Sequence, residues 1–495
     1  LITLYSLFFI ILNKIKSDHM KFNFIFSFVL LSLLAGPLFL SAQNNTIPLK
    51  TRLQQSHDQR NERITHYLNS IGDGELVKIE EYNKKGWIIY DIRNGRPRFQ
   101  GLSNKDAAAA IGITQLRNNS DIGTVLEGEG IEVGIWDGGL IRTTHQEFAG
   151  RIKYFDAAGG GDFSFHATGV AGTLLGKGIV AGAQGMAPKA IGVAYDFNND
   201  EVEMVQAQDL KSLILSNHSY GQISGWDDGT WFGDPSISSQ EDYSFGLYDN
   251  QAKSWDEIAY SHPNYLIVKS AGNDRGDSGS GPYPSDGPYD CISGSGVSKN
   301  ILTVGAIQKS SVGYNSSDNI QMSSFSGWGP TDDGRIKPDL VGVGVSMNTA
   351  AEGSNDDYQI ISGTSFSSPS VCGGLVLIQE FYSNRYNKYL LAPTLKAISI
   401  HTAKQAETAK GPSYRMGWGL LDVNAAVNFI NNEDGVNKQI IEASINQGES
   451  VSFPINPKAG SNFRATIVWN DLPGTPPGNI LDPTNLMLVN DLDLV

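Results

Sequence analysis

Between about residues 105 and 430, short apolar runs alternate with longer stretches of helical spacing. "IEVGIW" precedes a stretch that predicts a helix beginning near His166. "LILSNHSYG" and "YLIVKSAGN" each follow a predicted helix, and "NILTVGAI" is a further strand. "SFSSPSVCGGLVLIQEFY" and "APTLKAISIHTA" read as helices. Such alternation predicts an α/β fold, a mostly parallel sheet with helices on both faces. In that architecture functional groups gather beyond the carboxyl ends of the strands. The flanks read differently. Residues 43–104 are polar, with a helix over "TRLQQSHDQRNERITHYLNSI" and a strand pair around "LVKIEEY" and "GWIIYDI", forming a small separate unit. Over 436–495 the pattern is β only, in "KQIIEASI", "ESVSFPI", "FRATIVW" and "LMLVNDLDLV". The chain then stops inside an apparent strand, so this region is expected to be the start of a truncated all-β domain.

The N-terminus carries a different signal. Residues 1–19 read as upstream read-through. From Met20, residues 20–42 hold one lysine, a long apolar core and then small residues, as in a secretory signal cleaved near Ala42. The competing reading is a membrane anchor. Export permits disulfides, and the chain has two cysteines, Cys291 and Cys372, which either pair or stay free and buried. Against 37 basic residues stand 52 acidic ones, a net charge of −15 in 495 residues with no basic run. Nucleic acid and anionic membrane surfaces are thereby excluded as main partners.

The densest hydroxyl stretch is "SGTSFSSPS", immediately before an apolar helix. It reads either as a polar N-cap or as a nucleophile at a helix N-terminus. A serine nucleophile needs a base, and the base needs an orienting carboxylate. Asp137 directly follows an apolar strand and is followed by two glycines. His166 opens a small-residue helix, Asn273 ends a third strand, and Ser365 lies in "GTSFSSP". His145, His218, His262 and His401 occupy ordinary positions and read as packing or surface residues.

"GTSFSSP" fits Gly-Thr-Ser-x-Ser-x-Pro, a match expected by chance in roughly one average chain in two thousand. With the order Asp, His, Ser it resembles the subtilisin-like serine peptidases, the subtilase family. "FSGWGPTDDGRIKPDL" and "GPSYRMGWGLLDVNAA" extend the resemblance, which covers about 110–430. "ATIVWNDLPG" and "LVNDLDLV" are similar to the jelly-roll domain of some alkaline, oxidant-tolerant subtilases.

The resemblance implies a secreted endopeptidase. Ser365 would attack the scissile carbonyl, His166 would take its proton, and Asp137 would orient the imidazole. Asn273 would bind the oxyanion. Ser219, Tyr220 and Gly221, with Ser270, Ala271 and Gly272, would line the first specificity pocket and pair with extended protein or peptide substrates. It further implies a monomer, removal of 43–104 as a propeptide, and chemistry that requires no cofactor. Calcium is a common structural ion of the family. Asp471, Asp491 and Asp493 group loosely, without diagnostic ligand spacing and as solvated surface, so no metal site is assigned.

Four departures from the family pattern stand out: Gly138 in place of a hydroxyl residue, Gly169 in place of a second histidine, Phe366 in place of methionine, and "GVGV" at 342–345 in place of Ala-Pro-Gly. Two rival readings differ in kind. One is a sedolisin-like acid serine peptidase with a Glu base, which His166 at the expected place argues against. The other is a non-catalytic exported binding protein on a protease scaffold.

Overall fold

The computed structural model describes residues 6–9, 49–84, 88–102, 108–155, 162–310, 313–409, 411–433, 439–454, 460 and 463–494. The signal-like residues 20–42 lie outside them, as do residues 1–19 apart from 6–9. The N-terminal unit comprises α1 (Leu49–Leu68), α2 (Asp73–Lys84), β1 (Ile88–Arg93) and β2 (Arg96–Leu102). The expected strand at "LVKIEEY" is therefore helical. Asp73 and Glu75 favour a helix start in its first turn, and Ile79 buries one face. The true partner of β1 is β2, joined through Asn94-Gly95, whose φ values of 49° and 74° fit a type I′ hairpin turn.

The body is built from β3 (Glu132–Asp137), β4 (Ile152–Tyr154), α3 (Phe165–Leu175), β5 (Ile191–Asp196), α4 (Asp200–Lys211), β6 (Leu215–His218), β7 (Tyr220–Gln222), α5 (Asn250–Ser261), β8 (Leu266–Ser270), β9 (Leu302–Ile307), β10 (Leu340–Val343), β11 (Met347–Ala350), β12 (Tyr358–Ile361), α6 (Thr364–Tyr386), α7 (Ala392–Thr402) and α8 (Val423–Asn431). Seven of these strands form one sheet in the order β10-β9-β8-β6-β3-β5-β4. Every neighbouring pair in it is parallel. The central strands are buried on both faces, as the continuous apolar run of β8 requires. The α/β fold read from the pattern is the fold observed.

One core cluster joins α3, α6 and α8 with the sheet; a second joins β5, α4 and α5 around Trp136, Trp255 and Tyr265. Helix α6 is buried along nearly its whole length, which explains why its sequence lacks a polar face. Of the strands expected after 436, Glu442–Ile445 is formed and pairs antiparallel with Ser6–Phe9. Residues 463–494 run against the body without strand partners. Asp471 anchors them: it is buried, pairs with Lys299 Nζ at 2.6 Å, and accepts the N–H groups of Val489 and Asn490. Asp491 and Asp493 are exposed. No described helix is long and apolar enough to cross a membrane.

Candidate active site

Parallel β3 delivers Asp137 to its carboxyl end. Helix α3 starts nearby, capped by the Ser164 hydroxyl, which accepts the Ala167 N–H at 3.1 Å. This start fixes His166 in the first turn. The His166 Nδ1 lies 2.6 Å from Asp137 Oδ1, and both side chains are buried. Gly138 leaves no hydroxyl to share the carboxylate. Its own N–H donates to Oδ1 at 2.7 Å instead, and Oδ2 is buried without a partner.

Ser365 occupies the second position of α6, where backbone N–H groups have no intrahelical acceptor. Gly363 turns the chain into this helix with φ +153°, a conformation that residues with a side chain rarely adopt. Pro369 sits four residues after Ser365 and lacks the N–H that would bond the Ser365 carbonyl. Ser219 supplies the missing donor: its hydroxyl donates to Ser365 O at 2.6 Å. In return the Ser365 hydroxyl donates to Ser219 O at 2.8 Å. The proline of the motif thus frees a carbonyl that ties the helix start to the strand end. The next residue, Phe366, meets the imidazole edge-to-face at 5.8 Å.

Asn273 follows β8. Its Oδ1 accepts from Thr364 N at 2.8 Å and from Thr364 Oγ1 at 3.2 Å. A backbone N–H can only donate, so the amide oxygen must face Thr364, and the NH₂ half is directed away from it. Asp137, His166, Asn273 and Ser365 therefore converge on the carboxyl edge of the sheet, as the topology demands.

The strand residues are placed as follows. Ser219 is fully buried and bonded to Ser365, and Gly221 is in mid-strand. Tyr220 contributes backbone; its ring is buried and its hydroxyl donates to Asp200 at 2.7 Å. Ser270 ends β8, Ala271 N donates to Val304 O, and Gly272 adopts φ +93°. The exposed edge of β7 is not empty. β2 pairs with it antiparallel, in the register Gln100↔Gln222, Gly101↔Gly221, Leu102↔Tyr220.

A family model described as the subtilase family matches residues 128–419, which hold all four convergent groups. The chain belongs to the subtilase family. Among its relatives, alkaline protease 1 of Aspergillus flavus is 25% identical over 328 residues, covering 64% of this chain and 69% of that protein. C5a peptidase of Streptococcus pyogenes is 25% identical over 242 residues, covering 46% of this chain but only 19% of the relative's length. Among solved structures, the Clostridium perfringens CspB protease shares the fold at a TM-score of 0.50 and 18% identity, over 65% of this chain and 98% of that one. The chain spans about a fifth or less of the length of the C5a peptidases it matches.

Three departures from the subtilase pattern find their physical reason here. Gly169 and Phe366 are one packing unit, since a Cβ on Gly169 would lie 3.1 Å from Phe366 Cζ. The larger aromatic ring thus goes with loss of the second histidine. In "GVGV", a Cβ on Gly344 would sit 2.6 Å from the Gly363 carbonyl oxygen, and one on Gly342 3.2 Å from Ser367 O. Both glycines let β10 and its exit approach the nucleophile helix. The lone histidines serve packing: His218, for example, is buried between Ser216 Oγ and Tyr220 OH. Cys291 and Cys372 are free and buried, and burial pushes the Cys291 thiol up to about 12.

Sequence reasoning missed several charged groups near the subtilase cleft. Burial lowers Lys269, beneath Gly221, to about 7. Burial, then Asp277 and Asp227, push Asp274 up to about 8. The signal "SAGNDRGD" was present, but only the fold buries it. Farther off, Glu241, Asp290 and Asp482 bring carboxylate oxygens within 4.8 Å of one another. This all-oxygen donor set is of the type that suits a hard cation such as calcium.

Proposed function

We propose that the protein is a secreted, monomeric subtilase that hydrolyses peptide bonds through an acyl-enzyme, with Ser365 as nucleophile, His166 as base and Asp137 as orienting carboxylate. The observation that carries this reading is the 2.6 Å Asp137–His166 bond on the sheet edge where α6 presents Ser365. Rotation about χ1 of Ser365 would turn its hydroxyl from Ser219 O to the imidazole. Apo geometries of catalytic hydrogen bonds are commonly loose and tighten with substrate. His166 then takes the serine proton as the C–O bond forms, and returns it to the leaving amine as the C–N bond breaks. Asp137 holds the tautomer and balances the imidazolium. The negative carbonyl oxygen meets the Asn273 NH₂ and the Ser365 N–H, at the positive end of α6. Water, activated by the same imidazole, releases the acyl group.

Residues 43–104 act, in this reading, as a propeptide. Support comes from β2, which adds a strand to β7 as an extended substrate would. The apolar run 20–42 supports export.

Hydrolysis of an extended chromogenic peptide by the full-length protein tests the proposal. Asn273→Ala should lower kcat by about 10²–10³ with KM little changed. Ser365→Ala should remove turnover by the acyl route. A Ser365→Ala protein that hydrolyses the peptide at the parent rate would exclude the mechanism.

A further inference from the structure

On β2, the side chain of Arg98 is sealed inside the body. It is 2% exposed. Its Nη1 donates to the Phe232 carbonyl at 2.6 Å, and its Nη2 lies 3.4 and 3.3 Å from the two carboxylate oxygens of Asp242. The guanidinium also lies over the Tyr243 ring at 5.7 Å. Asp242 is itself fully buried. Its position is set by the body alone: Oδ2 accepts Gly225 N–H at 2.9 Å, and Oδ1 accepts Ser244 N–H at 3.0 Å. Phe232 N in turn donates to Gly225 O. The pocket is therefore built independently of the arginine that fills it.

We propose that Asp242, the Phe232 carbonyl and Tyr243 form a subsite for an arginine of the substrate, three residues N-terminal to the residue that pairs with Gly221. The proposal rests on the endopeptidase reading, because it takes β2 as a mimic of a bound peptide. Departure of β2 would leave a buried carboxylate without its cation, a costly state that a substrate guanidinium relieves. A planar fork reaches the carbonyl and the carboxylate together, whereas a lysine ammonium presents a single point of attachment. The preferred substrate is thus an extended segment carrying arginine well upstream of the scissile bond. Such a distant contact adds selectivity without touching the reacting atoms.

The test uses the full-length protein after its own maturation and peptides copying residues 96–102, extended past the scissile bond, with Arg, Lys or Gln at the position of Arg98. A shorter peptide that lacks this position is the control. Arg should exceed Gln in kcat/KM by about tenfold or more, with Lys between and the difference in KM. Asp242→Asn should narrow the Arg/Gln ratio to about twofold. Equal cleavage of the three peptides by the parent protein overturns the subsite and leaves the endopeptidase reading standing. No cleavage of any peptide, the control included, overturns both.

Discussion

Phe366 touches both the imidazole of His166 and the space above Gly169. A methionine beside a catalytic serine is a point of oxidative failure, because its sulfoxide is polar and bulkier. The aromatic ring removes that liability. Peptidase activity should therefore outlast peroxide exposure, and Phe366→Met should shorten the half-life in peroxide several-fold; equal half-lives would refute the point. Much at this scale was legible. Asp137, His166, Asn273 and Ser365 announce themselves by residue type at strand and helix ends. What was not legible is coupling. Nothing in "HATG" and "SFSS" says that Gly169 and Phe366 share one volume, or that Pro369 frees the carbonyl that Ser219 binds. Such facts depend on which residues the fold sets face to face.

At the scale of elements, β2 on β7 matters most. Its last residue, Leu102, pairs with Tyr220, and the adjacent Ser219 holds the Ser365 hydroxyl. In the propeptide reading, this register puts the scissile bond shortly after β2. N-terminal sequencing of the matured protein should begin between residues 103 and 108; a start near residue 43 would reject the propeptide reading. The strands with uninterrupted apolar runs, β3, β8 and β9, were legible because buried parallel strands need them. "LVKIEEY" misled because its alternation is short, and helix and strand cannot be told apart in so brief a run. β1 and β2 were half found: the Asn-Gly turn between them was a stronger hairpin signal than the alternation used.

Across the whole molecule, charge is distributed with a purpose. The N-terminal unit is held by arginines that meet carboxylates of the body: Arg52–Glu257, Arg60–Glu201, Arg93–Asp249 and Arg98–Asp242. Elsewhere the body keeps carboxyls whose affinity for protons is raised. Burial and neighbouring acids push Asp332 to about 9, and Asp290 and Glu241 to about 7. In the folded state these groups hold protons that the unfolded chain releases above about pH 4. Their contribution to stability is present at low pH and is lost as pH rises from about 4 through about 7 to 9. Thermal melts in chelator should therefore fall by a few degrees from pH 5 to pH 9, and Asp332→Asn should flatten that slope. A slope unchanged by the substitution would remove this cluster as its cause. Net charge alone could not reveal it, because −15 says nothing of which carboxyls are buried together.

Underlying all three scales is the claim that Ser365 is made nucleophilic by His166 and Asp137. Fluorophosphonate labelling of the matured protein, mapped by mass spectrometry of its peptides, tests it most directly. The adduct should fall on Ser365 alone, and His166→Ala should slow its formation by orders of magnitude. An adduct on another residue, or labelling of Ser365 at the same rate without the imidazole, would contradict the account.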